Sequence, residues 1–155
     1  MSAAPLPHYR RPGRATRLAN HLVALLTRAG ISVLGSRVLE TRGRRSGLPR
    51  RTPVNLLTVD GAPYLVSPRG ETDWVRNVRA AGGSLVLVLG RRRTAYTATE
   101  LTGDDRLPLL RAYLRRWSFE VGAFFEGVGA DSGDDELRAV ADRHPVFALS
   151  AATSA

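Results

Sequence analysis

Residues 53–67 read "PVNLLTVDGAPYLVS", and this stretch decides the predicted fold. Two short runs rich in β-forming residues, 53–59 and 62–67, flank the dipeptide Asp60-Gly61. Asp-Gly between two such runs is a strong signal for a tight hairpin turn, because both turn positions take positive φ. We therefore expect two antiparallel strands here.

Further short strands surround this hairpin. The segment "SRVLET" (36–41) precedes it, and "SLVLVLG" (84–90) and the alternating "RRTAYTATEL" (92–101) follow it. A helix over 71–82 interrupts the strands, and "VFAL" (146–149) is predicted as a last strand. A doubly wound parallel fold would need regular strand–helix alternation, which is lacking. The pattern therefore indicates an α+β fold, a small β-barrel with helices on its outside.

The remaining segments are predicted as one tail and three helices. Residues 1–13 are Pro-rich and predict a flexible tail, and residues 14–155 are predicted to form a single domain. Apolar spacing predicts helices over 14–29, 104–118 and 133–144. No signal peptide is evident and no apolar run approaches the roughly 20 residues that span a bilayer, so we expect a cytoplasmic protein.

The helix over 14–29 has two interpretations. Its apolar side fits packing on a core, which we favour. Alternatively, it touches an anionic membrane as a peripheral contact, because the arginines in and beside it meet no acid.

The composition excludes several kinds of site. There is no cysteine, so thiol nucleophiles and thiolate metal sites are excluded. The histidines at 8, 21 and 144 lie far apart, and none has a metal-ligand spacing, so no metal site is predicted. All 23 basic residues are arginine, which excludes a P-loop lysine and a Schiff base. If the chain is an enzyme, a bound cofactor is expected to carry the reactive atom.

The positive charge is confined to one part of the chain. Residues 1–93 hold 17 arginines and 4 acids, whereas residues 94–155 hold 6 arginines and 10 acids, which together give the net charge of +9. This distribution suggests a localised anion site. Its centre is "TRGRRSGLPRRTP" (41–53), with five arginines and two glycines. Arginine forks and turn amides bind phosphate and carboxylate oxygens, although a solvated basic turn is the alternative.

A second stretch, "DWVRNVR" (73–79), places an aromatic ring beside an amide. On a helix, Trp74, Asn77 and Val78 share one face. Trp74 and Asn77 could stack on and hydrogen-bond a planar heterocycle. The alternative is a core tryptophan, with Asn77 capping a neighbouring segment.

Together the two stretches resemble the deazaflavin (F420)-dependent nitroreductase family of actinobacteria, and "RHPVF" (143–147) resembles a common C-terminus of that family. The resemblance covers roughly residues 30–149. It implies a split β-barrel related to FMN-binding barrels. It also implies hydride transfer from C5 of reduced coenzyme F420, which carries a phosphate and an oligoglutamate tail, to a quinone, nitroaromatic or enone acceptor.

The resemblance also implies which residues serve the cofactor. The phosphate and the acidic tail would be held by Arg44, Arg45, Ser46, Gly47 and Arg50. The ring would be lined or oriented by Pro53, Ser67, Trp74 and Asn77, with Arg79 near the acidic end. Ser67 is also a weak candidate for the catalytic proton donor. An acceptor pocket or simple helix packing would account for Tyr113, Trp117, Phe119, Phe124 and Phe125.

Other functions stay open at this level. The same barrel could carry the deazaflavin without turnover, or use FMN. A nucleic-acid-binding barrel would need aromatic residues among its basic strands, and residues 36–101 hold only Tyr64, Trp74 and Tyr96, so we expect no nucleic acid partner. The chain could be a monomer or a homodimer.

Overall fold

The computed structural model describes residues 21 and 35–153. Within them, the strands are β1 Ser36–Arg42, β2 Pro49–Asn55, β3 Leu57–Val59, β4 Ala62–Val66, β5 Ser84–Leu89, β6 Arg92–Glu100 and β7 Val146–Ala151. The α-helices of this region are α1 Asp73–Ala80, α2 Leu107–Val121 and α3 Asp134–Ala141. Short 3-10 helices, Gly103–Arg106 and Gly122–Phe125, flank α2.

The strands form one antiparallel sheet in the order β2-β1-β5-β6-β7-β4-β3. Its two edge strands, β2 and β3, are consecutive in sequence and are separated by Leu56 alone. The amide of Leu56 donates to the carbonyl of Gly35 at 2.9 Å. One residue thus carries the chain from one edge of the sheet to the other, so the sheet must curl round on itself. The predicted barrel is confirmed.

The central hairpin is confirmed, but the strand before it was predicted with the wrong bounds. Asp60 and Gly61 have φ values of 50° and 77°, and Val59 pairs with Ala62 across this turn. The predicted strand 53–59 is instead two strands. The first begins at Pro49, because Arg42 of β1 already pairs with that residue. Prolines are tolerated there because β2 is an edge strand.

The barrel interior is closed at one end by α1. The inward-facing residues of the strands include Leu39, Leu87 and Phe147, all nearly fully buried. Trp74 and Val78 of α1 belong to the same apolar cluster, and the Trp74 and Phe147 ring centroids lie 5.7 Å apart. Burial of this apolar face fixes the position of a helix of only eight residues, which is too short to be stable alone.

A second core lies between the outside of the sheet and the other two helices. Consecutive residues of β7 serve the two cores, since Val146 faces the helices and Phe147 faces the barrel interior. Leu110 and Leu114 of α2 and Leu137 of α3 are fully buried in the helix-side core. The predicted helices after residue 100 are therefore confirmed, within a few residues at their ends. α2 also has a kink at Trp117 that the spacing did not predict.

The predicted tail 1–13 and nearly all of the predicted helix 14–29 lie outside the described residues. His21 is described, and it is helical and exposed. Across the part of the chain that the structure describes, no helix is both long enough and apolar enough to cross a membrane.

Gly83, which connects α1 to β5, is predicted to be required for stability. It has φ of +91°, and a Cβ there would lie 2.3 Å from the carbonyl oxygen of Ala98. We expect Gly83→Ala to lower the free energy of unfolding by about 3 kcal/mol, from left-handed strain plus steric overlap. Thermal unfolding should show Tm lower by about 6–12 °C.

Gly82→Ala is the matched control for that substitution. Gly82 also has positive φ, +65°, but a Cβ there meets nothing within 4 Å. Only the backbone cost of about 1 kcal/mol should appear. Equal losses in the two variants would show that the close approach to Ala98 is not what constrains Gly83.

Candidate functional site

The arginine-rich stretch forms a β-hairpin, and we call residues 42–51 the arginine hairpin. Its turn spans only residues 43–48, because strand pairing reaches Arg42 and Pro49. The turn is held by the amide of Gly43 donating to the Leu48 carbonyl, and that of Gly47 donating to the Gly43 carbonyl, both at 2.8 Å. Strands β1 and β2 therefore extend into the stretch 41–53, and only its middle residues form the turn. A compact turn on a paired ladder holds the arginines in a defined arrangement.

Asn77 of α1 binds this hairpin through its amide oxygen and the adjoining residue of β1 through its amide nitrogen. Its Oδ1 accepts from the Arg44 backbone N–H at 3.2 Å and from Arg44 Nη1 at 2.9 Å. Its Nδ2 donates to Thr41 Oγ1 at 3.4 Å. Asn77 is 4% exposed. Trp74 and Val78 anchor α1 in the barrel, so the hydrogen bonds of Asn77 fix the hairpin relative to the barrel. This is the role expected of a residue that caps a neighbouring segment.

Arg44 forms the contact between hairpin and helix on the solvent side. Besides its bonds to Asn77, its Nη2 lies 3.1 Å from Asp73 Oδ1 at the start of α1. A guanidinium held from two sides is positioned in advance of any ligand.

Two grooves border the hairpin, and Arg44 lines both of them. The first, of about 870 Å³, we call the β5 groove, and it is lined by residues 40–47 and 49, Asn77, and residues 80, 81 and 84–86. The second, of about 880 Å³, we call the β2 groove, and it is lined by residues 43–46 and 49–52 with Asp73, Trp74 and Asn77. Each has the size of a small-molecule site.

The arginines of the grooves fall into two groups. Arg44 and Arg51 have acidic partners, namely Asp73 and Glu40. Arg42, Arg45 and Arg50 have no ion pair with any residue that the structure describes. Three such guanidinium groups around one turn are suited to an anion with several charged oxygens.

The carboxylate of Glu40, which lines the β5 groove, is already neutralised. Arg93 Nη2 lies 2.7 Å from its Oε1 and Arg51 Nε lies 3.1 Å from its Oε2. These hydrogen bonds, that from Arg93 first, lower the pKa of Glu40. The trio carries a net positive charge, so Glu40 does not cancel the basic character of the hairpin.

Most predicted cofactor residues come together around the grooves. Those that line at least one of them are Arg44, Arg45, Ser46, Gly47, Arg50, Trp74 and Asn77. The chemistry of this set fits the phosphate, acidic tail and planar ring of the cofactor that the resemblance implies. Unpaired guanidinium groups match a phosphate and a carboxylate tail, and the indole of Trp74, 6% exposed, offers an apolar edge in the β2 groove beside them.

Three predicted residues lie elsewhere. Pro53 pairs with Val38 in the β2–β1 ladder and lines neither groove. Ser67 is fully buried, and its Oγ donates to the Gly70 carbonyl at 2.7 Å. Arg79 Nε donates to Glu100 at 2.8 Å, and its Nη2 donates to Glu71 at 3.1 Å. Those carboxylates, Glu100 first, raise the pKa of Arg79.

Four charged groove residues were not assigned to the cofactor from the sequence. Arg42 lines the β5 groove, Arg51 lines the β2 groove, and Glu40 and Asp73 are the acids of the two grooves. Strand alternation could have indicated that Arg42 belongs to the groove, because Arg42 and Glu40 are two residues apart on β1 and face the same side. No local pattern could identify the acids, because their partners lie 11 to 53 residues away.

The aromatic residues considered for an acceptor pocket line neither groove. Tyr113, Trp117 and Phe125 are buried in the helix-side core. The guanidinium of Arg69 lies over the Phe124 ring, with its Cζ 4.5 Å from the ring centroid. Phe119 is 72% exposed. All but Phe119 therefore pack within the helix-side core or against it, as the alternative interpretation held.

Solved structures share this architecture at low sequence identity. An F420-H2 dependent reductase (FDR-A) is 20% identical with TM-score 0.52, over 75% of this chain and 94% of that one. A protein of unknown function from Agrobacterium tumefaciens is 16% identical with TM-score 0.56, over 94% and 59%. The heme storage protein HutZ from Vibrio cholerae is 10% identical with TM-score 0.51, over 77% and 83%. These similarities confirm the split-barrel fold.

The sequence itself identifies the family. No curated protein matches the chain. Residues 16–124, more than two thirds of it, match the family described as F420H(2)-dependent quinone reductase. That segment contains the arginine hairpin, α1 and both grooves. The chain therefore belongs to the F420H(2)-dependent quinone reductase family, and it is a reductase whose cofactor is coenzyme F420.

Proposed function

We propose that this enzyme transfers a hydride from reduced coenzyme F420 to a quinone, and that nitroaromatic and enone compounds are further acceptors. The observation that carries the proposal is the set of three arginines, Arg42, Arg45 and Arg50, that lack ion pairs with described residues and surround one turn. Arg45 and Arg50 line the β2 groove, which Trp74 also lines, and Arg42 lines the β5 groove. A ligand with an anionic tail and a planar ring matches both features.

The residues of the site bind and position rather than exchange protons. Arg45 and Arg50 hold anionic oxygens, and Arg44, fixed by Asn77, presents its remaining N–H groups in a set direction. Trp74 provides an apolar surface from which water is excluded. When bound, the reduced deazaflavin supplies the hydride. Positioning two planar molecules and excluding water account for much of the rate of such reactions.

Ser67 remains our weak candidate for the proton donor, and its surroundings argue for a structural role. Its hydroxyl is engaged by the Gly70 carbonyl, and its amide donates to the Pro145 carbonyl at 2.9 Å. Proton transfer from Ser67 would first have to break the bond to Gly70. Thr41, Ser46, Thr52 and Ser84 are hydroxyl residues that line the grooves, and water can enter beside them.

The anionic part of the cofactor provides the first test of this site. We expect Arg45→Ala to weaken binding of coenzyme F420 about tenfold, as loss of one charge-assisted contact implies. The loss should grow with the length of the glutamate tail. Fluorescence titration with coenzymes of two tail lengths measures both effects, and titration with FMN tests the alternative cofactor.

Arg76→Ala is the control. The substitution removes the same charge, and Arg76 of α1 lines neither groove. Equal weakening in both variants would indicate only a change of net charge. An unchanged affinity in Arg45→Ala would remove the hairpin from the cofactor site.

Turnover separates a reductase from a carrier. Oxidation of reduced coenzyme F420, followed by absorbance with menadione and then with a nitroaromatic, should depend on both enzyme and acceptor concentration. We expect the quinone to be the better acceptor. Coenzyme binding without oxidation across several acceptors would instead favour the carrier.

We further propose that the predicted helix over 14–29, besides packing its apolar side on the core, makes a peripheral contact with an anionic membrane. Residues 1–34 contain five arginines and no acid. The following residue, Gly35, lies against Trp117 and Arg116 of α2, and Phe119 on that helix is 72% exposed. A basic sequence segment and an exposed aromatic residue are each suited to an anionic lipid surface.

Vesicle sedimentation tests this contact. The full chain should sediment with phosphatidylglycerol vesicles and not with phosphatidylcholine vesicles. Arg14→Gln combined with Arg17→Gln should reduce the bound fraction severalfold, because each basic residue near the surface contributes about 1 kcal/mol. Absence of sedimentation with anionic vesicles at low salt would exclude the contact.

A further inference from the structure

The β2 groove contains a single acid among its charged lining residues. Arg44, Arg45, Arg50 and Arg51 line this groove, and the one carboxylate with them is that of Asp73. Asp73 opens α1, where a negative charge is favoured by the helix dipole. Its position in a groove suited to anions needs a further explanation, because a fixed negative charge there opposes an anionic ligand.

The surroundings of the two groove acids differ sharply. Glu40 has a 15% exposed side chain and is held by both Arg51 and Arg93. The side chain of Asp73 is 82% exposed, and Arg44 is its one ion-pair partner among the described residues. Exposed single pairs contribute little stability. A ligand can therefore displace Asp73 from Arg44 at small cost, whereas Glu40 is fixed.

Arg44 does not depend on Asp73 for its position. Asn77 accepts from both the backbone N–H and Nη1 of Arg44, whereas Asp73 contacts Nη2. With Asp73 displaced, the guanidinium stays attached to α1 and Nη2 becomes available. The Arg44 guanidinium is thus already in place, and a carboxylate of the same chain occupies its Nη2.

We propose that Asp73 is a specificity-determining residue that competes with the cofactor for Arg44. This inference rests on the proposed function, since it takes the β2 groove as part of the cofactor site. An anionic oxygen of the cofactor replaces the Asp73 carboxylate at Nη2 of Arg44. Ligands with one charged group gain little from this exchange. Ligands whose further anionic groups also reach Arg45 and Arg50 bind despite the competition.

The test is a comparison of Asp73→Asn with wild type. The variant should bind coenzyme F420 about two- to fivefold more tightly, since an exposed ion pair no longer has to be displaced. Fluorescence titration measures this without turnover. Inorganic pyrophosphate, titrated in the absence of coenzyme by calorimetry, should also bind more tightly to the variant.

Two further variants separate the specific contact from net charge. Asp60→Asn makes the same change of charge in the β3–β4 turn, where φ of 50° suits asparagine, and its coenzyme affinity should equal that of wild type. In a background carrying Arg44→Gln, Asp73→Asn should give no gain. Circular dichroism melting shows whether each variant is folded. If the Arg44→Gln variant does not fold, the comparison of pyrophosphate binding between wild type and Asp73→Asn still tests the proposal.

Each outcome decides the matter. Unchanged or weaker binding in Asp73→Asn, for coenzyme and pyrophosphate alike, would overturn the competition. The competition would also be overturned if Asp73→Asn still bound the coenzyme more tightly in the Arg44→Gln background, or if Asp60→Asn bound it more tightly than wild type. Either result would show that net charge, and not the contact with Arg44, changes the affinity. If wild type binds pyrophosphate but not the coenzyme, the proposed function fails, while the pyrophosphate comparison still tests Asp73.

Discussion

The site depends on the carboxamide of Asn77. This one buried group accepts two hydrogen bonds from Arg44 and donates one to Thr41. It thereby joins a hairpin that projects from the sheet to a helix that closes the barrel. A buried amide satisfied in this way allows one arrangement of hairpin and helix. Both grooves border that junction, so their shapes follow from how well α1 packs against the barrel core.

Packing of α1 in turn follows from its sequence. Trp74 and Val78 fill the barrel end, and Asn77 shares their side of the helix one turn after Trp74. On the other side of α1, Arg79 bridges to Glu71 and Glu100, which lie before the helix and at the end of β6. Apolar contacts thus set the depth of α1, and charged contacts hold its ends.

Much of this arrangement could be predicted from local patterns. Some features depend on only a few neighbouring residues, so the sequence indicates them directly. These are the Asp60-Gly61 turn, the alternating strands, the basic turn within 41–53 and the helix that contains 73–79. Long-range partners could not be predicted in the same way. Arg79 carries a charge that would suit a cofactor tail, and only the fold brings Glu100 to it. Ser67 similarly has the chemistry of a donor, and the fold directs its hydroxyl to Gly70.

The passage through Leu56 has a consequence for how the protein behaves among copies of itself. An open seven-stranded sheet would present two unpaired edges, each a template for pairing with another chain. Here the two edge strands are β2 and β3, which follow each other in the chain on either side of Leu56. The sheet curls so that these two edges lie close together. The edges are the seven residues of β2 and the three of β3, and β2 carries Pro49 and Pro53, which cannot donate to an added strand. The barrel thus protects its own edges against aggregation.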